Sequence, residues 1–243
     1  MKETNTLSVL TLDVTVLTDP FLFACWYEHM PEERQRKTDA FRNDADKRLS
    51  LGAGILLQLG LEERGITACQ FLESPFGKPL AADAAGNLLP VQFNLSHSGS
   101  VVAAVFSDQP VGIDIQTFRS FSDRLIRKVF RPEEIARKPQ TASREEENRF
   151  YTSLWAAKES VLKQLGSGML PPLAVALPET PKSPLGLFPE AKDLERLAPL
   201  AIDWKIPRYI TSCTMDASAL SVCCLEPLGS MQPVWIREEL LKV

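Results

Sequence analysis

The sequence predicts a mixed helix-and-strand fold of the α+β class, on three observations. Residues Leu7 to Leu17 alternate loosely between apolar and polar side chains, as a half-buried strand does. Leu154, Ala157, Val161 and Leu165 recur at three- and four-residue steps, which is the apolar stripe of a helix. Two late apolar runs, Tyr209 to Cys213 and Ala219 to Leu225, return to strand character. No tandem repeat or low-complexity tract joins these segments, and 243 residues suffice for one large domain or for two lobes of about 100–130 each.

Taken in order, the chain passes from the first strand to Pro31, pre-shaped for a first helical turn, which opens a helix through MPEERQRKTDAFR. Asp44 is placed to cap a second helix, whose core face holds Leu49, Ala53, Leu56 and Leu57. Arg34, Arg36 and Arg48 lie on these helices, where solvated surface is the default reading. Phe76-Gly-Lys-Pro79 is a turn punctuated by Gly and Pro, and Lys78 alone reads as an exposed loop lysine. Val91 to Asn94 reads as a short strand, Ser96-His-Ser-Gly99 as a polar turn, and Val101 to Phe106 as the next strand. In Val111 to Gln116 the residues Val111, Ile113 and Ile115 point one way, and Gly112, Asp114 and Gln116 the other. Phe118 to Lys138 is helical, restarting at Pro132. Ser143-Arg-Glu-Glu146 has the spacing of a capping box, so the next helix begins near Arg144 and runs uninterrupted to Gly166. Beyond Gly168, Pro171, Pro172, Pro178, Pro181, Pro184 and Pro189 punctuate an ordered, loop-rich excursion.

Composition narrows the function. A 44% hydrophobic and 24% charged chain is an ordinary soluble one, and a net charge of −4 argues against a general nucleic-acid binder. Cys25, Cys69, Cys213, Cys223 and Cys224 show neither metal-ligand spacing nor a disulfide framework, so free thiols in a reducing compartment are expected. Asp13 and Asp19 interrupt any signal-like core, and no apolar run reaches the ~20 residues of a membrane span. The expectation is a cytoplasmic protein without a membrane partner.

Two stretches carry chemistry. Asp114 and Gln116 offer two oxygen ligands on one strand face, an arrangement suited to a hard cation such as Mg²⁺, although sheet edges with an outward polar face share it. Lys158 falls inside the apolar arc of its helix, while Glu159 and Lys163, four residues apart, share its flank. Lys158 either snorkels to water or stands with Glu159 at the mouth of a site for phosphate and metal.

Four segments in order, FGKP at 76–79, FNLSHSG at 93–99, VGIDIQ at 111–116 and LWAAKESVLK at 154–163, resemble the 4′-phosphopantetheinyl transferases, specifically the larger, surfactin-synthetase type. The likeness extends more faintly to the amino-terminal helices and to Phe130–Glu134. It implies two similar α/β lobes related by a pseudo-twofold axis, with coenzyme A between them and the division at 117/118. The implied reaction moves phosphopantetheine from coenzyme A to a serine of an apo acyl or peptidyl carrier protein, releasing adenosine 3′,5′-bisphosphate. By the same resemblance Asp114, Gln116 and Glu159 would hold Mg²⁺ (or Mn²⁺). Glu159, Lys163 and His97 would be catalytic, and Arg36, Arg48, Lys78, Ser96, His97, Lys158 and Lys163 would contact the coenzyme. Glu134 matches a further acidic residue near the site. Many members carry Glu where this chain has Gln116, which implies a weaker or more hydrated metal site. A monomer is the family-like expectation. The competing readings are a metal-dependent nuclease or phosphohydrolase, which would need neither SHSG nor GKP, and a non-catalytic carrier-binding homologue.

Overall fold

Edge strands expose unpaired backbone groups, and two of them meeting at one seam organise this molecule. The computed structural model describes residues 7–167, 170–180, 183–228, 230–237 and 241. In chain order the elements are β1 (Ser8–Asp13), α1 (Pro20–His29), α2 (Glu32–Asp39), α3 (Asp44–Glu62), β2 (Gln70–Glu73), β3 (Pro79–Ala82), β4 (Gln92–Ser98), β5 (Val101–Ser107) and β6 (Gly112–Thr117). There follow α4 (Asp123–Val129), α5 (Pro132–Ile135), α6 (Arg144–Leu165), β7 (Val175–Ala176), β8 (Gly186–Leu187), α7 (Ala191–Leu197), β9 (Tyr209–Met215), β10 (Ser218–Cys224) and β11 (Val234–Trp235). One sheet has the order β11-β1-β5-β4 and a second has the order β6-β10-β9, while β2-β3 and β7-β8 form small hairpins. Helices and sheets are thus mixed as the α+β expectation requires.

Local signals explain most boundaries. The capping box forms: Ser143 Oγ accepts from the Glu146 amide at 3.3 Å, and Glu146 accepts from the Ser143 amide at 2.7 Å. Gly166, at φ +65°, ends α6 in the left-handed region that suits glycine. The cap of α3 is Asn43 rather than Asp44, because its Oδ1 takes the Ala45 amide at 2.8 Å. The first strand stops at Asp13, whose carboxylate accepts from the Thr15 amide and turns residues 14–18 into a short 3-10 helix, so it does not reach Leu17. Asp19 and Pro20 start α1, which the sequence reading passed over. Pro181 and Gly168 lie outside the described residues. All five cysteines are free.

The largest departure is at Ser96-His-Ser-Gly99. These residues are not a turn; β4 runs on through Ser98, and only Gly99, at φ +58°, turns the chain into β5. The reason is a set of rungs. Asn94, Ser96 and Ser98 alternate along β4 and face the edge of β6, where their side-chain oxygens accept from the amides of Ile113 (3.0 Å), Ile115 (3.2 Å) and Thr117 (2.9 Å). Each of these β6 amides faces away from β10 and would otherwise be an orphaned donor. Polar alternation here therefore marks a strand whose polar face is buried against another strand.

Strand β6 hydrogen-bonds along its other edge to β10, so the segment ending at residue 117 belongs to the sheet formed by the carboxy-terminal strands. Conversely β11 pairs parallel with β1. Apolar clusters lie beneath these layers. Leu51, Ile55 and Leu56 of α3 pack with Leu10, Leu12 and Phe106. Val161, Leu165 and Val175 form the second, and Ile113, Ile115, Leu220 and Val222 fill the space under β6 and β10.

Helix α6 crosses β6 at Gly112. A Cβ there would collide with the Ser160 carbonyl and with Gln164 backbone atoms, so the helix sits on the strand at a distance only glycine permits. Replacing Gly112 by Ala is expected to destabilise the fold by at least about 2 kcal/mol through overpacking against backbone, read as a lower urea midpoint at unchanged m-value.

Candidate functional site

Because Asp114 follows Gly112 by two residues, it emerges on the same face of β6, beneath α6. Its Oδ1 accepts from Lys163 Nζ at 2.6 Å and from Ser96 Oγ at 2.8 Å. Ser96 Oγ in turn accepts from Lys163 Nζ at 2.8 Å and from the Ile115 amide, so this hydroxyl uses its one donor and both acceptor positions. Ser96 is buried and orients Asp114 and Lys163. Asp114 Oδ2 is different: it is buried, with no hydrogen-bond partner among the described residues.

Glu159 and Lys163 stand one turn apart on α6 over this strand. Burial lifts the Glu159 carboxyl above the usual carboxylate range, the nearby Asp114 charge lifts it further, and Lys163 opposes both. Asp114 is also raised, chiefly by burial, against the pull of Lys163 and Ser96. Two carboxyls raised chiefly by burial, with one oxygen unmet, form a cluster short of positive charge. Gln116 lies two residues further along the same face, half-buried, with its amide nitrogen 3.5 Å from Ser98 Oγ. Among the described residues no three His, Cys, Asp or Glu side chains converge as a metal group. A divalent cation would therefore find two carboxylates and one amide oxygen, a donor set whose chemistry fits Mg²⁺ with waters completing its shell.

His97 points from the other face of β4 and is exposed. It stands at the end of a cleft of about 670 Å³ between α2, α3 and the β2-β3 hairpin. Leu57, Leu61, Phe71 and Leu95 give this cleft an apolar floor, and Arg34 and Lys37 of α2 line it too. The structure brings neither Arg36, which is exposed, nor Arg48, which is half-buried, to that lining. Lys37 is a cation the sequence reading missed, and Arg34 one that it read as solvated surface. Their spacing of three puts them on one face of α2, which is the signal that was available.

Lys158 and Glu134 are placed elsewhere. Lys158 is 1% exposed, and its ammonium uses all three donors within the protein: on Glu134 at 2.9 Å, on the Val175 carbonyl at 2.6 Å and on the Pro172 carbonyl at 3.0 Å. Glu134 also accepts from the Arg131 and Leu177 amides. Lys158 does not snorkel; the pair bolts α6 to α5 and the 172–177 segment. Lys78, expected in an exposed loop touching the coenzyme, instead sends its Nζ to the Val111 carbonyl at 3.0 Å and the Gln164 carbonyl at 3.4 Å.

Residues 110–200 match the family model of the 4′-phosphopantetheinyl transferase superfamily. The chain is 30% identical over 148 residues to the 4′-phosphopantetheinyl transferase Sfp of Bacillus subtilis strain 168, covering 59% of this chain and 62% of that protein. It is 28% identical over 144 residues to the 4′-phosphopantetheinyl transferase ffp of Bacillus subtilis, covering 58% and 62%. With the 4′-phosphopantetheinyl transferase gsp of Aneurinibacillus migulanus it shares 30% over 103 residues, 42% and 40% of the two chains. The match spans about three fifths of the first two relatives. These findings bear out the resemblance carried by the four motifs. No helix among the described residues is long and apolar enough to cross a membrane.

The raised Glu159 carboxyl has a stability consequence. The folded protein holds that proton more tightly than the unfolded chain, so stability falls as pH rises from the ordinary Glu range through the raised value. Glu159→Gln removes this cost. The variant is expected to melt above the wild type near about pH 7.5, with the gap closing below about pH 4, where both states of the wild type are protonated. Thermal unfolding across that range checks it.

Proposed function

We propose, from a chain that is a relative of the 4′-phosphopantetheinyl transferases, that it transfers 4′-phosphopantetheine from coenzyme A to a serine hydroxyl of an apo acyl or peptidyl carrier protein. The observation that supports this most directly is the buried Asp114 with one unmet oxygen, flanked by Ser96, Lys163 and Glu159. The two sheets meeting at β4 and β6 are read as the two lobes of the family fold, in pseudo-twofold relation; β6 then goes with the second lobe, so the division expected at 117/118 falls before Gly112 instead.

The serine oxygen bonds to the phosphorus bearing pantetheine while the bond from that phosphorus to the bridging pyrophosphate oxygen breaks, so adenosine 3′,5′-bisphosphate leaves. Little covalent work falls to the protein in such a transfer; positioning and charge neutralisation dominate. A Mg²⁺ or Mn²⁺ ion held by Asp114, Gln116 and Glu159 would supply positive charge to the pyrophosphate oxygens. Lys163 supplies the protein's own positive charge beside Asp114. Glu159 is the acceptor for the serine proton. His97, with Arg34 and Lys37 in the same cleft, would take the phosphate of the nucleotide end, and the apolar floor would take neutral parts of the coenzyme. Monomeric, cytoplasmic action is part of this reading.

Intact-protein mass spectrometry of an apo carrier incubated with the chain, coenzyme A and Mg²⁺ tests it. One phosphopantetheine group should be gained, and EDTA should abolish the gain. Glu159→Ala should slow it by on the order of 10²–10⁴-fold. No gain on several unrelated carriers would overturn the reading.

Gln116 supplies no negative charge where a carboxylate would. Gln116→Glu is therefore expected to lower the Mg²⁺ concentration giving half-maximal rate, and an unchanged requirement would remove Gln116 from the metal set.

A further inference from the structure

We infer that the Phe76–Pro79 turn is a strut that fixes α6 against β6, with Lys78 as its positioning residue rather than a coenzyme contact. Three placements carry this. Phe76 packs against the apolar cluster to which Ala157, Val161, Leu162 and Leu165 of α6 belong, so the tip of the β2-β3 hairpin shares a core with that helix. The stem of Lys78 passes over Gly166, the residue that ends α6. Its Nζ then bridges the Val111 carbonyl, immediately before β6, and the Gln164 carbonyl in the last turn of α6.

One ammonium thus ties together the beginning of the strand that carries Asp114 and the end of the helix that carries Glu159 and Lys163. The late carbonyls of a helix lack intrahelical partners and form its negative pole, so a cation is well suited to this end. No carboxylate pairs with Lys78 among the described residues. Burial pushes its ammonium down to about 8, yet a neutral amine retains two donors, so the bridge does not depend on charge. Gln164 is held a second time, by Arg208 Nε on its side-chain oxygen at 3.0 Å, and its amide reaches the Pro110 carbonyl at 3.4 Å. The turn itself is closed by Gly77 at φ +80° and by reciprocal bonds between Ser74 and Lys78.

The same hairpin forms a wall of the His97 cleft through Phe71, Glu73 and Pro79. An occupant pressing on that wall is mechanically connected, through Lys78, to the helix over Asp114. The structural part of this inference is independent of the transferase reading; only its kinetic consequence rests on that reading.

Hydrogen-exchange mass spectrometry of the full chain tests the strut without any ligand. Lys78→Met should speed exchange in 111–113 and 164–167 by about tenfold or more while leaving α3 unchanged. Phe76→Leu, which keeps the buried cation, should give a smaller change in the same segments and stands in should Lys78→Met not fold. Unchanged exchange in both segments in the folded variants overturns the proposal. In the transfer assay, Lys78→Met should lower kcat by about tenfold or more with the KM for coenzyme A within about threefold of wild type. A raised KM for coenzyme A at unchanged kcat would make Lys78 a coenzyme contact and overturn the positioning role. A wild-type chain that modifies no carrier would sink the transferase reading, leaving the exchange result to decide the strut.

Discussion

Asp114 is buried in the seam between two edge strands, and the site depends on how that burial is offset. A carboxylate removed from water needs hydrogen bonds and counter-charge. One oxygen receives both, from Ser96 and Lys163; the other receives neither among the described residues. The seam itself is held by side chains accepting from backbone amides rather than by a backbone ladder, which keeps β4 and β6 apart by a side chain's length. That gap is what lets Ser96 reach Asp114 while also satisfying Ile115. A continuous ladder between the two strands would have closed the site.

Neighbouring residues on α6 meet opposite electrostatic circumstances. Lys158 is sealed in an ion pair whose members are both also hydrogen-bonded by backbone groups. Glu159, one residue on, has its proton affinity raised by burial and by a like charge. The first arrangement is rigid and self-contained, and removing one partner of such a pair typically costs about 3–5 kcal/mol. On the proposed function, the second would be completed by an added cation. An i, i+1 step rotates about 100° around a helix, which separates an anchoring group from a reactive one within a single dipeptide.

Much of this was legible in the sequence because the signals were local. Ser143 and Glu146 specified the start of α6, Gly166 its end, and the alternation of Ile113 and Ile115 with Asp114 the orientation of β6. Side-chain destinations set by distant contacts were not legible. Lys158 looked like a snorkelling or ligand-binding cation because nothing nearby in sequence announces Glu134, 24 residues earlier, as its partner. Ser96 and Ser98 looked like turn residues because polar alternation normally means solvent, and the β6 amides that claim them lie 19 residues away. Gly112 read as one more small residue on a strand face, although the backbone of α6 occupies the space of its missing Cβ.

The dipeptide Ser96-His97 unites the two halves of the proposed site. Successive residues of a strand point to opposite faces, so Ser96 faces the carboxylate seam while His97 faces the apolar cleft against α3. A ligand using both must pass around β4, an edge strand of its sheet whose open side is bridged to β6 only by the polar rungs. Coenzyme A, the donor of the proposed function, would have the matching character: a 3′-phosphate for His97 and, across the same ribose, a pyrophosphate for Lys163 and the carboxylates. On the proposed function, the rungs of Asn94, Ser96 and Ser98 therefore have two tasks. They satisfy the buried amides of β6, and through Ser96 they fix Asp114 beside Lys163.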